Sequence, residues 1–343
     1  MERDQMDKCT PDQIEMYDQE MRSKNLPTLD ELDKMCFLVR EMLSVTLEDK
    51  DLFIRDEKKG NFQRLIFGSP IDLELDEEKH AEKFMQFVTK FGHNIPEEYW
   101  TNDRLMLRFL AAEKNNYAKT LISMVEHSQW LRMTFPANLS MISSLLNSGF
   151  LYVCKRDIQY RPVMVLNVNK MNQDGSDISV ISEATAFFCD FVVKKLLVPG
   201  KVENWIMIID LNGVNITTLP IKKVQAIVGA TQKHFGGRLY RQFCVNMGWM
   251  MRRSSSLFLN FVDEITQKKI SVHGTDGYQE ELHKLVPLDR LETKYGGYLP
   301  DIQDTFFPPD MSIRQTTPMT MNEVKNEVPD AFKYVAPWGL KKA

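Results

Sequence analysis

"WIMIIDLNGV", residues 205–214, decides the fold. Five apolar residues and an aspartate run into Leu-Asn-Gly, a strand that ends in a turn where the Asp210 side chain caps the backbone. The strand end could also hold a catalytic carboxylate, but the capping role is the simpler account of Asp210. Outward from this run, "FLYVC" (150–154), "PVMVLNV" (162–168), "FCVNM" (243–247) and "KISV" (269–272) read as further strands. Helical patterns fill most of the gaps, at 178–197, 217–234, 249–262 and 276–285. Strands alternating with helices of that length predict an α/β unit with a mainly parallel sheet built from right-handed crossovers.

Before Phe150 the pattern is helical. Acids at Asp72, Glu74, Asp76, Glu77 and Glu78 open a helix near 76–91, where they complement the helix dipole. Residues 101–135 read as two helices, the first capped by Thr101 or Asn102 and broken at Asn115-Asn116. The second, from Ala118 to Arg132, sets Leu121, Val125, Ser128, Trp130 and Leu131 to pack on a neighbour. Residues 1–75 are polar, with one helix expected over 29–43, and form an extension that packs on the rest or serves regulation. The tail beyond Pro300 reads as an irregular or partly helical strap.

The 343 residues suffice for one large domain and a smaller one. Five scattered cysteines without a Cys-x-x-Cys pair point to a reduced, cytoplasmic setting. No stretch approaches the ~20 apolar residues needed to span a bilayer, so membrane contact would be peripheral. Walker, G-x-G-x-x-G, G-x-S-x-G and H-E-x-x-H motifs are missing, and the six histidines never fall at metal-ligand spacing. These observations argue against an enzyme, a resident metal and a cofactor other than a bound ligand. Twenty Met and twenty Phe suit either adaptable core packing or a pocket that moulds to an apolar ligand.

The net charge of −4 confines any attraction to phosphate to a local patch. One exists: from Thr231 to Val262 there is no acid, while Lys233, Arg238, Arg241, Arg252 and Arg253 are present. Its aromatics do not alternate with basic residues as a nucleic-acid stacking platform would require, which favours anionic lipid over nucleic acid. On a helical wheel of 249–262, Arg252, Arg253, Ser256 and Asn260 share a narrow arc. Met250, Met251, Leu257, Phe258, Leu259, Phe261 and Val262 fill most of the rest. The wheel alone leaves two readings open, a deeply buried helix or one that faces a membrane.

Six segments in order resemble one family: "DRLMLRFLAAEKNNYAKTLISMVEHSQWLR" (103–132), "RPVMVLNV" (161–168), "WIMIIDLNGV" (205–214), "GGRLYRQFCVNMGWMM" (236–251), "FVDEITQKKISVHG" (261–274) and "LETKYGGYLP" (291–300). They are similar to CRAL-TRIO lipid-binding proteins of the phosphatidylinositol-transfer type. The resemblance implies an N-terminal extension (1–75), a helical N-terminal subdomain (76–143), a lipid-binding domain (145–302) and a C-terminal tail (303–343). Its mainly parallel mixed sheet would floor an apolar lipid pocket, with the segment 249–262 as a movable gate. It further implies lipid-headgroup contacts at Lys114, Thr266 and Lys269. The pocket would be lined by Val165, Trp205, Met207, Ile209, Met250, Phe258 and Phe261, and Trp249, Arg252 and Arg253 would touch the membrane. The expected protein is a monomer that binds one phospholipid, a phosphoinositide or related lipid, and meets membranes transiently without nucleic acid. The alternative is an interaction scaffold docking a protein or small GTPase without lipid exchange.

Several positions depart from the family pattern. Glu113 stands where a basic residue precedes Lys114, and "FGGRL" (235–239) places Gly237 where a headgroup-contacting Glu is usual. "YRPVM" (160–164), Trp205 and Met207 replace further polar positions. Phosphatidylcholine is therefore not the expected ligand.

Overall fold

The computed structural model describes the chain except for residues 1–7, 10, 57–60, 69–70, 92–98, 100–103, 136, 254–263, 329–340 and 343. In chain order the main elements are α1 (Pro11–Ser23), α2 (Leu29–Lys34), the hairpin β1 (Phe53–Asp56) and β2 (Asn61–Arg64), α3 (Leu75–Lys90), α4 (Leu105–Ala112), α5 (Tyr117–Thr134) and α6 (Leu139–Leu146). The α/β unit follows with β3 (Leu151–Arg156), β4 (Pro162–Asn167), α7 (Ile178–Phe191), β5 (Trp205–Asp210), α8 (Ile221–His234), β6 (Leu239–Val245), α9 (Trp249–Arg253), β7 (Ile270–Val272) and α10 (Gln279–Leu285). A last helix, α11, spans Met321–Glu327.

The five strands β3–β7 lie side by side in sequence order, β3 antiparallel to β4 and the rest parallel. Sequence and structure agree on this mixed, mainly parallel sheet. Because side chains alternate along a strand, the apolar runs divide between two faces. On one face Tyr152, Cys154, Val163, Val165, Ile206, Ile208, Phe243 and Val245 are buried against Tyr278, Leu282, Leu291, Tyr295 and Phe306. On the other, Val153, Met164, Leu166, Trp205 and Cys244 meet α7 and α8 through Ile181, Phe187, Phe188, Phe191 and Ile227. The helical subdomain has its own core, with Phe84, Val88, Tyr99, Met106, Phe109, Leu121 and Met124. Within α5, Leu121 and Trp130 pack as expected, Trp130 on His234 and Phe235, joined by Met124 and His127, while Val125 is 41% exposed.

The segment 29–43 is not one helix. It leaves helical geometry at Met35, and after an extended stretch a 3-10 turn runs over Arg40–Ser44. The extended stretch is claimed by the tail: Met319 N donates to Leu38 O (3.0 Å) and Arg40 N to Thr317 O (2.9 Å). Arg40 reaches on to Glu323 (2.8 Å) and Glu327 (2.7 Å) of α11. Tertiary pairing here overrides helix propensity. Met21, Leu26, Leu32, Leu38, Val39 and Met42 join the same core as α7, so the extension is part of the fold. Fully buried Arg156 fastens it, donating to Phe37 O (3.0 Å), Tyr160 O (2.8 Å) and Leu196 O (2.9 Å). Strand β6 also starts earlier than the run 243–247 suggested. Its first half carries Arg241, whose guanidinium is neutralised by Glu281 of α10, and such polar residues mask a strand in sequence.

Glu203 joins the parts. Its buried carboxylate accepts hydrogen bonds from Phe67 N (2.9 Å), Gly68 N (2.7 Å) and Gly200 N (2.6 Å) and forms an ion pair with Arg108 of α4. Arg108 in turn lies 4.4 Å over the Phe67 ring. A Cβ on Gly68 would stand 2.5 Å from Gly200 N and 2.6 Å from Glu203 Oε1, so only glycine permits this approach. Glu203→Ala removes the acceptor of three buried amides and the counter-charge of Arg108. It is expected to cost ~3–5 kcal/mol in urea unfolding, with Glu203→Gln, which keeps an acceptor, losing less.

Candidate functional site

The sheet face under α7 and α8 is only partly closed. Across β4–β7 the register aligns Met164, Met207, Gln242 and Ile270 in one row and Leu166, Ile209, Cys244 and Val272 in the next. Met164 and Leu166 are buried, whereas Met207, Ile209, Gln242, Ile270 and Val272 are half-buried, although their neighbours Ile206, Ile208 and Phe243 on the opposite face are fully buried. Met207 and Ile209 lie on the central strand β5 and leave apolar surface that a ligand could cover, while Ile270 and Val272 continue the row on the edge strand β7.

One wall of this recess is aromatic and ties it to the helical subdomain. Trp205, at the start of β5, lies 6.5 Å from the Phe235 ring, which meets Trp130 edge-on at 5.8 Å. Trp130 stacks on His234 at 3.8 Å, nearly parallel, and His234 Nδ1 is 3.1 Å from Nδ1 of buried His127. The pair spans 107 residues of sequence, so nothing local announced it. Burial, aided by the neighbouring His234, pushes His127 down to about 3. Burial and then Lys233 push His234 down to about 4.

The expected site residues fall into groups. Trp205, Met207 and Ile209 share the recess face. Val165 does not: one position off in the alternation, it is buried on the opposite face against the Tyr278–Phe306 segment and cannot line the same recess. In α9, Met251 (2% exposed) turns into the core, while Trp249 (63%) and Met250 (53%) face outward. A helix turns ~100° per residue, so Met250 and Met251 cannot both point inward. Arg252 and Arg253 are exposed beside them, Arg252 lying against Gly274. Phe258 and Phe261, with the rest of the expected gate from 254, lie outside the described residues, as do Thr101 and Asn102.

Lys114 is exposed in the α4–α5 turn, where it and Asn115 take left-handed backbone angles. It borders an open cleft of about 400 Å³ with Glu113, Asn116 and Lys119. Glu113 Oε1 accepts from Ser123 Oγ (2.7 Å), which engages its carboxylate with α5. Thr266 and Lys269 sit together in the turn before β7, Lys269 N donating to Thr266 O (3.0 Å). Lys269 is 2% exposed and its ammonium donates to Leu239 O (2.7 Å). Asp210 behaves as a cap: Oδ1 accepts from Asn212 N (2.9 Å) and Asn246 Nδ2 (2.8 Å), and Oδ2 from the Tyr295 hydroxyl (2.9 Å). No group of three metal-ligating side chains and no membrane-spanning helix occurs among the described residues. Sequence reasoning missed Gln242, the His127–His234 pair and the Glu203–Arg108 joint, because each is defined by partners distant in sequence.

The chain matches the family model of the CRAL/TRIO domain over residues 146–297. Over 216 residues it is 25% identical to the Sec14 cytosolic factor of Schizosaccharomyces pombe, spanning 57% of this chain and 74% of that protein. It is 24% identical over 210 residues to Clavesin-1 of Rattus norvegicus, 58% of each chain. The solved structure of Sfh5 matches the fold with a TM-score of 0.51 at 16% identity, covering 76% of this chain and 100% of that one.

Both histidines bind protons less readily in the fold than the ordinary 6.5. The unfolded chain therefore takes up more protons as pH falls, so the stability contributed by the neutral pair is complete above pH 6.5 and is lost toward pH 4. Urea midpoints are expected to fall across that window. His127→Gln, which can still hydrogen-bond His234 but does not titrate, is expected to lessen the fall.

Proposed function

We propose that this protein holds one lipid in the recess over β5–β7 and exchanges it at membrane surfaces through the segment 249–262. The half-buried apolar floor of Met207, Ile209, Ile270 and Val272 carries the reading. Covering ~100 Å² of such surface with an acyl chain contributes ~2.5 kcal/mol, so several floor residues together give useful affinity. Exchange is supported by α9: Trp249 and Met250 present apolar surface at its outer side, and Arg252 and Arg253 stand ready for anionic headgroups. Phe258 and Phe261 belong to this gate in the reading. No covalent chemistry is involved.

The headgroup reading assigns a phosphoinositide or related lipid to Lys114 with Thr266 and Lys269. Lys114 brings an exposed ammonium to an open cleft, a group that suits a phosphate. Lys269 is held by a backbone carbonyl, so its replacement would disturb the β6–β7 edge as well as any ligand contact. The setting proposed is the cytoplasm with transient membrane attachment, as a monomer.

Native mass spectrometry of the purified full chain is expected to show one bound lipid, and vesicle assays to show its transfer. Lipid-free protein that moves no lipid between vesicles would contradict the reading. Lys114→Ala is expected to lower phosphatidylinositol pickup severalfold without changing the urea midpoint; unchanged pickup would remove the headgroup assignment. Trp249→Glu is expected to slow transfer while leaving the bound lipid in place.

A further inference from the structure

Among the recess-facing strand residues of β4–β7, Gln242 is the one with a polar amide side chain. Its row reads Met164, Met207, Gln242, Ile270, and the next Leu166, Ile209, Cys244, Val272. The side chain is half-buried, and its Nε2 lies 3.6 Å from Cys244 Sγ, a weak acceptor. The backbone, by contrast, is fully used: Gln242 N donates to Lys269 O (2.9 Å) and its carbonyl accepts from Ser271 Oγ (3.4 Å).

An amide in an apolar row is tolerated while water reaches it, and becomes costly once a ligand excludes that water without offering a hydrogen bond. A binding site that leaves such a group open therefore favours a ligand that completes it and disfavours the analogue that lacks the partner. We infer that Gln242 is a specificity-determining contact, and that the ligand of this recess carries a hydroxyl or carbonyl oxygen along the apolar stretch lying over β6. The inference rests on the lipid-binding reading above and narrows it. A pure hydrocarbon chain over β6 is disfavoured, and the amide, which both donates and accepts, serves an ester carbonyl and a ring or chain hydroxyl alike. This contact lies on the sheet and is separate from the cleft beside Lys114.

Two matched pairs of probes separate the sources of that oxygen. One is diacyl- against diether-phosphatidylinositol, which differ in the ester carbonyls; the other is a sterol against its 3-deoxy hydrocarbon. Each pair is offered at equal concentration in vesicles to the full chain, and the ratio of the two complexes is read by native mass spectrometry. Wild type is expected to prefer the oxygen-bearing member of one pair by about tenfold, the scale of one well-made hydrogen bond. Gln242→Met, close in shape and like its neighbours in the row, is expected to bring that ratio within about twofold of unity while still capturing the oxygen-free member. Gln242→Asn, which keeps the amide but draws it back by one methylene, should fall between them and supplies the same test if methionine is not tolerated. The pair that responds identifies the oxygen as carbonyl or hydroxyl. Equal ratios for wild type and variants in both pairs would overturn the inference while leaving lipid binding intact. Capture of neither pair would overturn it too, and lipid-free purified protein would remove the underlying reading with it.

Discussion

A carboxylate buried without compensation would unfold much of this molecule, and Glu203 is compensated by one guanidinium and three amides. Those donors come from the turn after the β1–β2 hairpin, from the loop before β5 and from α4, so one side chain fixes the extension, the sheet and the helical subdomain relative to each other. Its neighbour Asn204 extends the joint, donating to Leu65 O (3.1 Å) and Gly237 O (2.8 Å). Gly237 takes a positive φ of 74°, and a Cβ there would stand 3.0 Å from Arg108 Nη1, close to the charge that Glu203 neutralises. Gly237 thus has a structural reason to be small. Trp205 follows directly, so the joint also sets the angle of the recess wall.

From that joint outward the protein divides into a fixed frame and an open face. The frame has one sheet face closed over Ile206, Ile208 and Phe243 and is clasped by the extension and tail through Arg156, Arg161 and Arg40. Arg161 pairs with Asp51 (2.9 Å) and Asp157 (3.1 Å), and its guanidinium lies 3.6 Å over the Tyr240 ring. Burial pushes Arg156 down to about 9, and three carbonyl acceptors still hold it. The open face has Met207, Ile209, Ile270 and Val272 with incomplete cover, and it is bordered by α9 with its outward Trp249. The proposed lipid exchange would use such a division, with a floor that keeps its shape under a cover that moves.

Composition and apolar runs made the α/β class, the mainly parallel sheet and the helical subdomain legible, since each strand core is a compact run bounded by turn residues. The faces were not legible. A strand buried on both sides has no polar alternation to set its phase, which is why Val165 read as a pocket residue alongside Met207 and Ile209 but belongs to the other side. The polar first half of β6 hid for a related reason: Arg241 and Gln242 look like loop until Glu281 and the Lys269 carbonyl are seen beside them. The break after α2 is imposed by a tail nearly three hundred residues away in sequence, and local periodicity cannot report that. The family resemblance carried further than periodicity, because order and spacing of six segments survive where single residues have changed.

In the proposed function lipid lies on the half-buried sheet face beneath α7 and α8. A phospholipid bearing a photoreactive group in its acyl chain, loaded into the full chain, irradiated and mapped by peptide mass spectrometry, locates it directly. Labels are expected on Met207, Ile209, Ile270, Val272 and Met251. Labels confined to Val163, Val165, Ile206, Ile208 and Phe243, or scattered over the surface helices, would contradict the account.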